Sequence, residues 1–195
     1  MDKQRIPLFP LHTVLFPGGA LPLRVFETRY LDMISQCMRS ESGFGVCLIK
    51  EGSEVGNAPE VYEMGTLVNI SYFQQLKDGC LGITARGERR FRILSSEILP
   101  NQLTMAEVEL IPRLTHQPLP EEFQEFVGML TGIFEELGHP FISLPKHYDS
   151  ATWVSARLAE LMPIGLKEKQ IMLEMSDPIQ RLTRLQEILV AEDYR

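Results

Sequence analysis

No stretch of the 195 residues approaches the ~18–20 consecutive apolar positions that cross a bilayer. The opening MDKQRIPLFP carries no apolar signal-peptide core. Cysteine is scarce: Cys37, Cys47 and Cys80 are odd in number and form no CxxC. That count excludes a disulfide framework and predicts reduced thiols in a cytoplasmic protein. No lysine follows a glycine, so the phosphate-cradling P-loop is missing, and there is no GxSxG elbow to present a serine nucleophile. The four histidines, His12, His116, His139 and His147, include no pair at i, i+3 or i, i+4, which removes the helical zinc signature. Cationic surplus is missing too. Against 26 Asp+Glu stand 19 Lys+Arg, a net charge of -7, and this disfavours both phosphate-backbone binding and anionic membrane surfaces.

What is present is ordinary globular composition, 44% apolar and 23% charged. A chain of this length buries roughly 70% of its unfolded surface and needs no staple. Its charge is uneven: residues 1–116 carry 12 Lys+Arg against 13 Asp+Glu, whereas residues 117–195 carry 7 against 13. The periodicity changes at the same place. Up to about residue 112, short apolar runs broken by Gly, Pro and Asn predict strands at Ile6–Phe9, Ala20–Val25, Phe44–Ile49, Gly65–Phe73, Cys80–Thr84, Phe91–Leu94 and Leu103–Leu110. Lys77-Asp78-Gly79 predicts a hairpin turn. One helix interrupts the strands, with Tyr30, Met33, Ile34 and Cys37 on a single apolar stripe. Seven short strands with one helix favour a rolled, barrel-like sheet.

After the Pro118-Leu119-Pro120 segment the spacing becomes helical. Phe123, Phe126, Val127, Leu130, Phe134 and Leu137 recur on one face up to Gly138. A second helix is expected from Asp149 or Ser150 to before Pro163, burying Trp153, Val154, Leu158 and Leu161. A third runs from about Leu166 to Met175. The last starts with Asp177 as N-cap and Pro178 at the first helical position, turning Ile179, Leu182, Leu185 and Leu189 inward. The fold class is therefore α+β, with a β-rich domain over residues 1–117 and a small helical bundle over 118–195.

Candidate chemistry is thin. Cys37 and Cys47 fall on core positions, and Cys80 follows a turn with no activating neighbour in the sequence. A thiol or metal hydrolase would have to use Cys80, or His139 and His147 in their proline-rich loop. Arg86, Arg89, Arg90 and Arg92 read chiefly as a solvated strand face, and as an RNA contact only under the nucleic-acid alternative. Met33, Met129 and Met172 read first as core fillers. Gly128 and Gly132 lie opposite the phenylalanines of an acidic helix. They read first as a tolerated exposed face and second as a close-approach surface for another helix. Tyr72-Phe73 are adjacent aromatics in an alternating strand, so one of the two is expected to face outward.

Longer ordered motifs carry more information. Pro7–Leu11, Val14–Gly18, Leu21-Pro22-Leu23 and Phe26–Tyr30 give a PLFPL strand, a VLFPG turn, a PL strand and an FExRY helix start. Tyr62–Thr66 and Gly87–Ile93 add a YEMGT segment and a GxxRFRI strand. In this order the motifs resemble the N-terminal, substrate-binding domain of Lon-type ATP-dependent proteases, and Val154–Leu161 and Asp177–Leu182 extend the likeness over nearly the whole chain. The resemblance implies a PUA-like β pseudo-barrel with an inserted helix, followed by a small C-terminal helical bundle. The departure from the family, with no P-loop and an end at Arg195, leads to the expectation of a stand-alone domain lacking the ATPase and peptidase modules.

The implied role is non-enzymatic recognition of unfolded or exposed apolar polypeptide segments, or of one dedicated partner protein. Such a module would act as an adaptor or regulator of proteolysis. No catalytic residue, cofactor or metal ligand is assigned, and Tyr72 and Phe73 are the candidate polypeptide-binding residues. The alternatives are an RNA-binding PUA-like protein and the small thiol or metal hydrolase.

Overall fold

The computed structural model describes residues 2–193. They form two compact units that divide between Arg113 and Leu114.

In the first unit β1 (Lys3–Leu11), β2 (Ala20–Val25), α1 (Thr28–Ser40), β3 (Phe44–Glu51), β4 (Glu60–Val61), β5 (Met64–Gln75), β6 (Leu81–Ile98) and β7 (Thr104–Leu110) follow one another. The sheet order β1-β7-β6-β5-β3 closes on itself because β1 also pairs with β3. β1 achieves this by changing partner midway. Lys3–Pro7 lie antiparallel to β7, and Leu8–Leu11 lie parallel to β3. Pro7, which lacks an amide proton, stands at the changeover. β2 adds to the outside of β6, and β4 to β3. The result is the closed pseudo-barrel with an inserted helix.

Two of the expected strands, Cys80–Thr84 and Phe91–Leu94, are one: β6 runs unbroken from Leu81 to Ile98. The intervening Ala85–Arg90 is polar and contains Gly87, which only the GxxRFRI motif places on a strand. That glycine, however, is there for contact. It exchanges backbone bonds with the Val14–Gly18 turn region (Gly18 N–H to Gly87 O, 2.8 Å; Gly87 N–H to Gly19 O, 3.0 Å), and a Cβ on it would strike the Phe16 carbonyl oxygen. Two sequence motifs thus meet backbone to backbone. Thr66, from the YEMGT segment, adds a third tie by donating its hydroxyl to Leu15 O at 2.5 Å.

Two apolar clusters fill this unit. Tyr30, Met33, Ile34 and Cys37 of α1 pack on Phe9, Val25, Phe44, Val68 and Ile83, with Tyr30 stacked on Phe9 at 4.2 Å between centroids. The second is built around Phe91, with Ile6, Leu8, Cys47, Val108 and Leu110. Burial pushes the Tyr30 phenol up to about 12 and raises the Cys37 and Cys47 thiols. Both cysteines are core residues.

The second unit contains α2 (Glu125–Leu137), α3 (Ala151–Leu161), α4 (Leu166–Glu174) and α5 (Pro178–Asp193). Phe123, Phe126, Leu130 and Phe134 of the stripe are buried, whereas Val127 is half-buried and Leu137 exposed, and α2 ends at Gly138 with φ +64°. Ser150 caps α3 by accepting from Trp153 N–H. Asp177 caps α5, accepting from Ile179 N–H at 2.8 Å. Trp153 and Leu161 are half-buried rather than core. Trp153 lies among the Phe134, His147 and Tyr148 rings.

Gly128 and Gly132 are exposed, with nothing within 4 Å of where a Cβ would stand. Gly128→Ala/Gly132→Ala is expected to raise the stability of this unit by about 1 kcal/mol per site, since each glycine in a helix interior costs about that much. Urea denaturation reads the gain, and a loss would mean that the face is covered.

Candidate functional site

α1 and β5 together frame a groove in the first unit. β3 pairs with β5 only from Phe44 to Val46, opposite Val68 to Thr66. Beyond Val68, β5 continues alone with β6 through Gln75. A bulge falls between Ile70 and Tyr72, where Ser71 donates its hydroxyl to Thr84 O at 3.0 Å. Past the bulge Tyr72 and Phe73 pair with Thr84 and Ile83 in regular alternation and so point to opposite faces. Both are nevertheless 56% exposed, because Ser71–Gln75 run beyond β3 and are exposed on both faces. The Tyr72 hydroxyl lies 3.2 Å from Gln74 Oε1, to which it donates.

A groove of about 370 Å³ runs beside these rings. It is lined by Cys37, Met38, Glu41 and Ser42 at the end of α1 and by Asn69–Phe73 of β5. The helix stops there because Glu41 turns left-handed at φ +50° and returns its amide to Cys37 O. Gly43 then lets the chain pass against Val68 O, where a side chain would clash. The lining mixes apolar side chains, the exposed Met38 among them, with polar ones.

The FExRY motif serves the opposite purpose. Arg29 is 5% exposed. Its guanidinium donates to Gln102 O at 2.9 Å, pairs with Glu27 at 3.0 Å and lies 4.5 Å over the Tyr30 ring. Gln102 Oε1 in turn accepts from Ala58 N–H, and Glu54 Oε1 from His12 N–H. These bonds fasten the loop that carries a second depression, of about 430 Å³, lined by residues between Glu51 and Glu60. The motif organises this corner of the scaffold.

The remaining candidates are dispersed. His139 Nδ1 lies 2.8 Å from the Ser143 hydroxyl, His147 stands edge-on to Trp153, and His116 faces Asp149 at 3.5 Å. Among the described residues no group of three His, Cys, Asp or Glu is placed to hold a metal ion. Cys80 is half-buried in the β5–β6 turn, its amide donating to Asp78 Oδ1 at 2.9 Å. That bond, with Arg24 at 2.6 Å from the other oxygen, holds the Asp78 carboxyl below its usual value. Arg24 is the cationic neighbour of this turn that the sequence spacing hides, because β2 reaches it across the sheet.

The arginine cluster is only in part the solvated face that its sequence suggests: Arg92 is exposed and Arg86 and Arg89 are half-buried. Arg90 is buried, and burial lowers its pKa. Arg89 reaches Asp2 and the Ile111 carbonyl, both at 3.4 Å. Among the described residues, no helix is long and apolar enough to cross a membrane.

Comparisons with known proteins agree with this architecture. The family profile described as the ATP-dependent protease La (LON) substrate-binding domain matches residues 5–191. The Lon protease of Solibacter usitatus is 25% identical over 98% of this chain, and Lon protease 2 of Desulfotalea psychrophila 28% identical over 95%. The chain spans about a quarter of the length of these curated relatives. Among solved structures, a Lon N-terminal domain protein from Xanthomonas campestris superposes with a TM-score of 0.76 at 36% identity, covering 94% of this chain and 98% of that one. The N-terminal domain of the Mycobacterium avium complex Lon protease shares the fold at 16% identity, with a TM-score of 0.63 and coverage of 94% and 97%. The chain belongs to the family of the substrate-binding domain of ATP-dependent protease La (Lon).

Proposed function

We propose that this protein recognises polypeptides without chemistry of its own, holding exposed apolar segments of unfolded proteins in the Tyr72–Phe73 groove. In that reading it serves as an adaptor or regulator of proteolysis in the cytoplasm. The observation that carries it is the pair of aromatic rings, each 56% exposed on the bulged part of β5 beside a groove of about 370 Å³. Exposed aromatics that keep half their area for a partner are the residues on which binding energy concentrates. The family's role, substrate binding, supports the same assignment. The RNA alternative is weakened because burial takes Arg90 out of any cationic stripe and Asp2 engages Arg89.

The test is fluorescence anisotropy with labelled, reduced and carboxymethylated α-lactalbumin as the unfolded polypeptide. Tyr72→Ala/Phe73→Ala is expected to weaken binding at least about tenfold. It should leave the unfolding midpoint nearly unchanged, because both rings are largely solvent-exposed. Unaltered binding by a folded double variant would refute the site.

A further inference from the structure

We propose that the groove captures its polypeptide by strand addition. An extended segment would occupy the empty lane beside Asn69–Gln75 and present a lysine or arginine to Glu41. This rests on the polypeptide-binding reading above and specifies what that site takes.

The lane is empty for a geometric reason. Each strand of a sheet offers hydrogen-bonding groups on two edges. On one edge β5 is paired with β6 along almost its whole length. On the other, β3 covers only Thr66–Val68. The chain joins β3 from the end of α1 through Gly43, packed on Val68 O, so the lane on the Asn69 side of that point holds no strand among the described residues. Seven residues of β5, about 20 Å at the usual rise per residue, are left with one free edge.

Free edges are ordinarily protected by charges or proline. Asn69–Leu76 contains no Lys, Arg, Asp, Glu or Pro. The edge is left chemically open, and what satisfies a row of backbone donors and acceptors is another extended backbone. Tyr72 and Phe73 add apolar contact for its alternate side chains.

Charge complementarity fixes one end. Glu41 is the only charged residue lining the groove among those described. It lies where α1 terminates, and a helix C-terminus adds its own partial negative charge. A cationic side chain on the incoming segment is therefore favoured at the Asn69 end, and an acidic one is disfavoured.

The probe is the labelled peptide Lys-Leu-Thr-Phe-Thr-Val-Thr, together with two versions N-methylated on alternate residues, one on the odd and one on the even positions. Successive amides of a strand face opposite edges. Strand addition therefore predicts that one methylation pattern weakens binding to the full chain at least about tenfold and the other is tolerated. Glu41→Lys is expected to weaken the parent peptide several-fold and to favour the same peptide with glutamate in place of lysine.

Equal binding of both methylated peptides overturns strand addition. So does a peptide that fails to bind while carboxymethylated α-lactalbumin still binds through Tyr72 and Phe73; in that case the polypeptide-binding reading survives. Failure of both probes removes that reading and this inference with it. Sedimentation showing self-association that disappears in Tyr72→Ala/Phe73→Ala would mean that a second copy fills the lane, and also overturns it.

Discussion

Gly87→Ala is expected to destabilise the first unit by about 3 kcal/mol, the upper part of the range for overpacked positions. The added methyl would meet the Phe16 carbonyl oxygen, and this is backbone that cannot swing aside. Moving it would break the Gly18–Gly87 and Gly87–Gly19 bonds that join β6 to the turn before β2. Gly45→Ala makes an informative contrast. Its Cβ would lie 2.6 Å from Phe91 Cζ and 2.8 Å from Leu8 Cδ2, both side-chain atoms. Phe91→Leu should therefore recover part of the Gly45→Ala loss and none of the Gly87→Ala loss. Urea denaturation of the singles and doubles reads this directly; strict additivity for the Gly45 pair would contradict the packing described.

Arg181→Ala is expected to cost about 4 kcal/mol in the second unit. Arg181 is almost wholly buried and comes from the second turn of α5. Its guanidinium donates to Met172 O at 2.9 Å, Met175 O at 2.8 Å and the Ser155 hydroxyl at 3.0 Å. One side chain thereby ties the carbonyl end of α4 to α3 and α5. Removing it deletes three charge-assisted bonds and leaves a cavity, and each kind of loss is among the larger single-residue effects. Arg181→Lys should recover little, because a single ammonium does not reproduce the planar fork that reaches three acceptors. Circular dichroism at 222 nm during urea titration would show the transition at lower denaturant. An unchanged midpoint would mean that the three bonds contribute no net stability.

Most of the fold is legible from local chemistry. The Tyr30–Cys37 stripe, the Ser150 and Asp177 caps and the Lys77-Asp78-Gly79 turn each depend on neighbours a few residues away, and each is found where the pattern puts it. What was hidden depends on residues distant in the chain. That Gly87 lies against the Phe16 carbonyl cannot be seen from the strand motif that contains it. Arg90 reads as a surface charge and nothing near Arg181 in the chain marks it as buried, because burial of an arginine is specified by acceptors on other elements. β4, two residues long, has no periodicity to detect. At the candidate site the aromatic pair is visible in the strand pattern, but its double exposure depends on β5 running on past the start of β3. Glu41 and the empty lane could not be read at all, since both arise from where β3 starts relative to β5.

The most direct measurement is hydrogen–deuterium exchange of the full chain with and without saturating carboxymethylated α-lactalbumin. The account predicts slowed exchange concentrated in Asn69–Gln75 and the end of α1, with the second depression between Glu51 and Glu60 unaffected. Protection confined to the Glu51–Glu60 loop or to α2, with β5 exchanging as in the free protein, would contradict it.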